Sequence, residues 1–242
     1  MYSLLSLLTL VVFVTADGRE QLVGGRDSQP GQFPYTVYLK LKGKPFCGGA
    51  IIGNHHVITA AHCILNANNK TEDVEVVTGT IHLNQGGETH RVAGLYPHPY
   101  YPDYLDKDIG VIKLAEPINF NANQQPIALP SDRTPAFVYG TVSGWGGTSS
   151  PPTAMSSSQQ HLSVKVIDTM VCKQTSGFII SEICTLNGPD SGTCLGDSGD
   201  PFVYNNAVAG VASRGVPCAR GQPDIFTSVY DSLEFIQTAM AY

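Results

Sequence analysis

Gly192-Thr193-Cys194-Leu195-Gly196-Asp197-Ser198-Gly199-Asp200-Pro201 is the stretch on which the reading of this chain turns. A serine stands among glycines, directly after an acid and four residues after a cysteine. Glycine reaches positive φ and lets backbone approach closely because it carries no Cβ. A loop of this composition can aim two N–H groups at one point beside the serine hydroxyl, forming a socket for a developing oxyanion. A serine hydroxyl alone is a weak nucleophile, so the reading demands a base elsewhere.

Thr59-Ala60-Ala61-His62-Cys63 supplies the imidazole, and Asp108-Ile109-Gly110-Val111-Ile112 supplies an acid to orient it. Asp103 and Asp106 compete for the acid's role. Asp108 is preferred because Ile109, Val111, Ile112 and Leu114 follow it as a buried strand. An acid at the head of such a strand is held rigidly, which suits a group that fixes an imidazole tautomer. Metal binding by His55, His56, His62 and Cys63 is the alternative, but their spacing matches no zinc pattern.

Composition narrows the class. The 242 residues hold 42% hydrophobic residues, enough for a packed core. Their 25 glycines and 16 prolines favour many turns and short strands over long helices. A net charge of −6 with no basic run leaves no footprint for nucleic acid. Residues 1–16 are almost wholly apolar from Leu4 to Val14 and end in Val14-Thr15-Ala16, as a secretory leader does. No later stretch is long enough to span a membrane as a helix. The chain is therefore expected to be secreted, without membrane association, and its six cysteines to form disulfides. Cys47 and Cys63 flank a predicted hairpin, where a disulfide would stabilise by about 3 kcal/mol. Asn69-Lys70-Thr71 is a glycosylation sequon, making Asn69 a candidate acceptor. Asp231 to Ala241 reads as an amphipathic helix.

His62, Asp108 and Ser198, in that order and on those motifs, resemble the trypsin/chymotrypsin family of secreted serine proteases, from about Leu22 to the C-terminus. The resemblance is to invertebrate chymotrypsins in particular. It implies an all-β fold of two packed six-stranded antiparallel β-barrels with a C-terminal α-helix. The first barrel would span about 22–128, the second about 129–230, and the helix about 231–241, all within a peptidase domain of 22–242. It implies that Ser198 attacks the scissile carbonyl, His62 takes its proton, Asp108 orients His62, and the N–H groups of Gly196 and Ser198 hold the oxyanion. The family pairs the remaining cysteines as Cys172–Cys184 and Cys194–Cys218; the cysteine count alone leaves many connectivities open.

By the same resemblance, residues 17–21 form a propeptide. Cleavage before Leu22 would free an α-amino group that enters the protein and pairs with Asp197. The residue before that cut is Gln21, where the family commonly has a basic residue. Pocket walls would come from Gly192, Thr193, Ser213, Arg214, Gly215 and Asp224. Gly192 stands where a trypsin-like enzyme carries Asp, so strict Lys/Arg preference is not expected; large apolar residues (Phe, Tyr, Leu) at the cleavage position are, with broad or mixed specificity as the rival reading. Asp224 replaces a family glycine, Arg214 an aromatic residue, and Asp200 a glycine two positions past the nucleophile. Arg214 would shift extended subsites toward acidic residues, and Asp200 would be strained if its position needs φ > 0. The implied partners are protein or peptide substrates and proteinaceous inhibitors, with the chain a monomer and with no cofactor or metal. The alternative is an inactive homologue that binds a partner without cleaving it.

Overall fold

The computed structural model describes residues 24–68, 70–101, 107–147, 154–176, 181–188, 191–194, 196–215 and 220–242. The expected leader, propeptide and Leu22, the sequon residue Asn69, Asp103, Asp106, Leu195 and Cys218 lie outside them.

The first half of the chain runs β1 (Arg26–Asp27), β2 (Thr36–Leu41), β3 (Lys44–Gly53), β4 (His56–Thr59), α1 (Ala61–Asn66), β5 (Val74–Thr78), β6 (Glu88–Pro97) and β7 (Gly110–Leu114). Strands β2 to β7 close into a barrel in the order β2-β3-β4-β7-β6-β5, each pair antiparallel. The β2–β3 hairpin turns on Lys42 and Gly43, both at positive φ, the backbone that matches the twist of a two-residue hairpin. Val37, Leu39, Ile51, Val57, Val76 and Ile112 meet in the barrel core.

The second half runs β8 (Tyr139–Gly144), β9 (Gln160–Lys165), α2 (Thr169–Ser176), β10 (Glu182–Thr185), β11 (Pro201–Tyr204), β12 (Ala207–Gly215), β13 (Asp224–Ser228) and α3 (Leu233–Met240). Its sheet has the order β1-β9-β8-β11-β12-β13-β10. Leu162 and Val164 of β9 point inward while Ser163 faces out, the period-2 pattern of a half-buried strand. The sheet is not a fully laddered barrel. It curls until Val166, just past β9, bridges Thr185 at the end of β10.

Several contacts join the halves. β1 pairs with β9, Asp27 opposite Gln160, although it precedes the first barrel in sequence. The helix α3 follows the second sheet but buries Ile236 and Ala239 in the first barrel's core. At the seam, the Thr36 and Ser143 hydroxyls lie 2.7 Å apart, and Trp145 packs edge-on to Tyr38.

Two short helices were not anticipated. α2 begins at Asp168, whose side chain accepts the Met170 N–H at 2.8 Å and so caps an orphan donor. α1 lacks a side-chain cap of its own; a distant acid completes it, as described below. Among the described residues, no helix is long and apolar enough to cross a membrane.

Candidate active site

His62 lies in the first turn of α1, and Asp108 sits two residues before the start of β7. Its carboxylate reaches α1 with both oxygens. Oδ1 accepts the His62 backbone N–H at 2.9 Å, and Oδ2 lies 2.7 Å from His62 Nδ1. The first contact satisfies one of the donors that every helix N-terminus leaves unpaired. The second fixes the ring and assigns the proton to Nδ1, leaving Nε2 as the basic atom. The Ser213 hydroxyl, from β12, donates to the same Oδ2 at 2.7 Å. Asp108 is 3% exposed, so these bonds act away from bulk water.

Ser198 comes to this place through its backbone. Its carbonyl accepts the Gly48 N–H at 2.8 Å and lies 3.8 Å from Sγ of Cys63, the neighbour of His62. The Cys47–Cys63 disulfide ties β3 to α1 at the same point. Those two sulfurs lie within 4.8 Å of a His62 ring nitrogen, but the disulfide removes both thiols from any metal set. Among the described residues, no hydrogen bond joins the Ser198 hydroxyl to the imidazole; such bonds are often long without substrate and tighten when it binds.

The loop around Ser198 needs its glycines. Gly196 has φ +100, and a Cβ there would lie 2.9 Å from Met155 Cγ. Gly199 has φ +87, and a Cβ there would fall 2.4 Å from the Gly48 carbonyl oxygen. Asp197 supports the loop from below. Its buried carboxylate accepts the Gly146 N–H at 2.8 Å and the Cys194 N–H at 2.7 Å. Cys194 is disulfide-bonded; its expected partner Cys218 lies outside the described residues. Cys172 and Cys184 are joined to each other.

Beside Ser198 opens a cavity of about 180 Å³, lined by Thr193, Cys194, Asp197, Ser198, Ala212, Ser213, Arg214, Gly215 and Ile225. Of the expected wall residues, Thr193, Ser213, Arg214 and Gly215 line it, while Gly192 and Asp224 do not. Asp224 is turned away because Thr193 occupies it fully. The Thr193 N–H reaches Oδ2 at 2.9 Å and the Thr193 hydroxyl reaches Oδ1 at 2.7 Å. Burial pushes the Asp224 carboxyl up to about 6, against the opposing pull of those two hydrogen bonds.

Two expectations, one about charge and one about backbone strain, need correcting. Arg214 does not present a bare cation, because Nη1 and Nη2 grip the two oxygens of Glu182 as a bidentate pair. Glu182 is buried and Arg214 half-buried, so the pair cancels much of the charge that was expected to draw acidic substrates. Asp200, for its part, does not adopt a left-handed φ; Gly199 takes that role. The cost of Asp200 is burial, not backbone strain. Glu182 escaped the sequence reading because nothing marks a lone Glu thirty-two residues away as the partner of Arg214. Burial raises the pKa of the Tyr101 hydroxyl, with the Asp108 charge adding to that rise and the Arg214 charge opposing it.

The comparisons with known proteins agree with this geometry. The Trypsin family model matches residues 22–236. The chain belongs to the trypsin family. It is 34% identical to Chymotrypsin-2 of Vespa crabro, over 89% of this chain and 98% of the relative. It is 33% identical to Hypodermin-A of Hypoderma lineatum, over 88% and 84%, and 34% identical to Trypsin-2 of Salmo salar, over 95% and 98%. Membership in the trypsin family makes this chain a serine protease by descent, and the mostly-β, two-sheet architecture is the chymotrypsin fold.

Proposed function

We propose that this chain is a secreted endopeptidase that hydrolyses peptide bonds through an acyl-enzyme, with Ser198 as nucleophile, His62 as base and Asp108 as its orienting acid. The observation that carries the reading is the double hold of Asp108 on His62, joined through the Ser213 hydroxyl to the wall of a cavity that Ser198 lines. Ser198 Oγ attacks the scissile carbonyl carbon as its proton passes to His62 Nε2. The imidazolium is stabilised by Asp108, which stays ionised. The N–H groups of Gly196 and Ser198 receive the oxyanion. The imidazolium then gives its proton to the leaving amine, and water repeats the sequence to release the acid.

The pocket favours large apolar side chains at the cleaved residue. Its wall carries Ala212, Ile225 and Gly215, and the nearby Asp224 carboxyl is bound at both oxygens by Thr193. Synthesis as a precursor fits a buried Asp197 and the Leu22-Val23-Gly24-Gly25 pattern. Protein substrates and proteinaceous inhibitors are the partners such a crevice fits.

Processed protein and its Ser198→Ala variant, assayed on peptides carrying Phe, Leu or Arg at the cleaved position, test the reading. The expected result is turnover of Phe and Leu peptides above Arg peptides, and its loss in Ser198→Ala. Equal turnover by the variant would overturn it, and an inert wild type would favour a non-cleaving homologue.

A further inference from the structure

Beneath Ser198 lies a second buried acid that the mechanism does not use. Asp200 is 0% exposed. Among the described residues, no N–H or hydroxyl meets either of its carboxyl oxygens with hydrogen-bond geometry. Its backbone is nevertheless well held, with its N–H given to the Asp197 carbonyl and its own carbonyl accepting the Ala212 N–H, both at 2.9 Å. The side chain is therefore placed by the fold and did not drift there.

The space around it is shaped to hold it. A Cβ on Gly48 would fall 1.6 Å from Asp200 Oδ1, and one on Gly144 would fall 1.5 Å from Oδ2. The carboxyl thus fills room that two glycines, one from each half of the chain, leave open. Asp197, three residues back and tied to Asp200 through its carbonyl, also acts on the Asp200 carboxyl through its side chain, while its own oxygens take the Gly146 and Cys194 N–H groups. Two buried carboxyls side by side cannot both ionise cheaply, so such a pair holds one proton between them. Asp197 has two backbone donors that favour its charged form, and Asp200 has none. The proton therefore belongs on Asp200, where its O–H supplies the donor that neither oxygen otherwise has and points it at Asp197.

We propose that Asp200 is a positioning residue, a neutral acid that donates its proton to the Asp197 carboxylate and holds the Ser198 loop only while it keeps that proton. Loss of the proton at high pH sets two negative charges side by side in a cavity with no cation from the described residues. The pair then repels, Asp197 gives up the Cys194 N–H, and the loop bearing Gly196 and Ser198 loosens. Burial and the neighbouring Asp197 charge both push the Asp200 carboxyl well above the ordinary carboxylate range. Asp224 also acts on Asp197, and in the processed protein the Leu22 amine is the cation expected beside it. The elements packed against Asp200 bring no titratable side chain: β3 offers Gly48, β8 Gly144, β4 the Thr59 hydroxyl on the Gly48 carbonyl, and β12 Ala212. The consequence for activity rests on the assignment of Ser198 above; the proton on Asp200 does not.

Two measurements test this separately. The infrared difference spectrum between wild type and Asp200→Asn at neutral pH should lose a carboxylic-acid C=O band in the variant. The same band in wild type alone should fade as pH is raised, a reading that survives if the variant folds poorly. In the pH profile of kcat, each protein is compared with its own neutral value. Asp200→Asn should keep at least about 3-fold more of its rate than wild type at about pH 9.5, because the amide cannot ionise. The Leu22 amine, expected against Asp197, titrates in both proteins and carries no carboxylic-acid band, so the infrared reading assigns the difference to Asp200. Absence of any protonated-acid band, or superimposable profiles, would overturn the proposal. An inactive protein that still shows the band would instead defeat the assignment of Ser198.

Discussion

Asp108 binds His62 at two points at once, the backbone N–H at 2.9 Å and the ring Nδ1 at 2.7 Å. One carboxylate thereby starts a helix and selects an imidazole tautomer. Asp108→Asn keeps the shape but offers the ring an N–H where it needs an acceptor, at least in one amide orientation. The expected loss in kcat is on the order of 10⁴-fold, with KM little changed. Steady-state kinetics on an apolar peptide substrate check it.

Thr193 and Asp224 form the pocket's hidden floor, and they tie stability to pH. The folded-state pKa of Asp224 is raised to about 6 by burial. Between its ordinary value and that one, the folded state holds more protons than the unfolded, so stability falls as pH rises through this window. Asp224→Asn removes that contribution. Calorimetric unfolding of wild type and variant, from about pH 4 to about pH 7, should show a shallower decline for the variant. Parallel curves would contradict this account of Asp224.

Glu182 answers the charge of Arg214, and its removal should change which substrates are preferred. Glu182→Gln leaves a guanidinium beside the cavity with a neutral partner. The ratio of kcat/KM for peptides with Glu near the cleaved residue, against otherwise identical apolar peptides, should rise by up to about 5-fold. Competition assays with a peptide mixture would show it. An unchanged ratio would mean that Arg214 does not face substrate.

Gly199 sits where β3 and the Ser198 loop touch. With φ +87 and a Cβ position 2.4 Å from the Gly48 carbonyl and 2.5 Å from Thr59 Oγ1, Gly199→Ala must shift backbone. The expected cost is about 2 kcal/mol or more, read from denaturant unfolding, with activity falling further than stability. A neutral substitution here would show the two halves are not pressed together at this point.

The sequence marked the candidate site residues more plainly than the architecture. His62, Asp108 and Ser198 each carry a dense local signature, an imidazole beside a cysteine, an acid heading an apolar run, a serine among glycines. Strand alternation at Leu162 and Val164 was equally plain. What stayed hidden depends on distant partners. α1 is too short to show a period, and its N-terminal donor is completed by Asp108, forty-six residues away. The clamp of Thr193 on Asp224 and of Glu182 on Arg214 likewise joins residues about thirty positions apart. Asp200 looked like a strain problem because the glycine pattern suggested one; Gly199 absorbs the unusual φ, and the acid meets burial instead.

The most direct measurement is covalent labelling by a serine-directed phosphonofluoridate, read by mass spectrometry of the processed protein and its digests. The account predicts one adduct per chain, on Ser198, and none in His62→Ala under the same conditions. No adduct, an adduct on another residue, or equal labelling without His62 would contradict it.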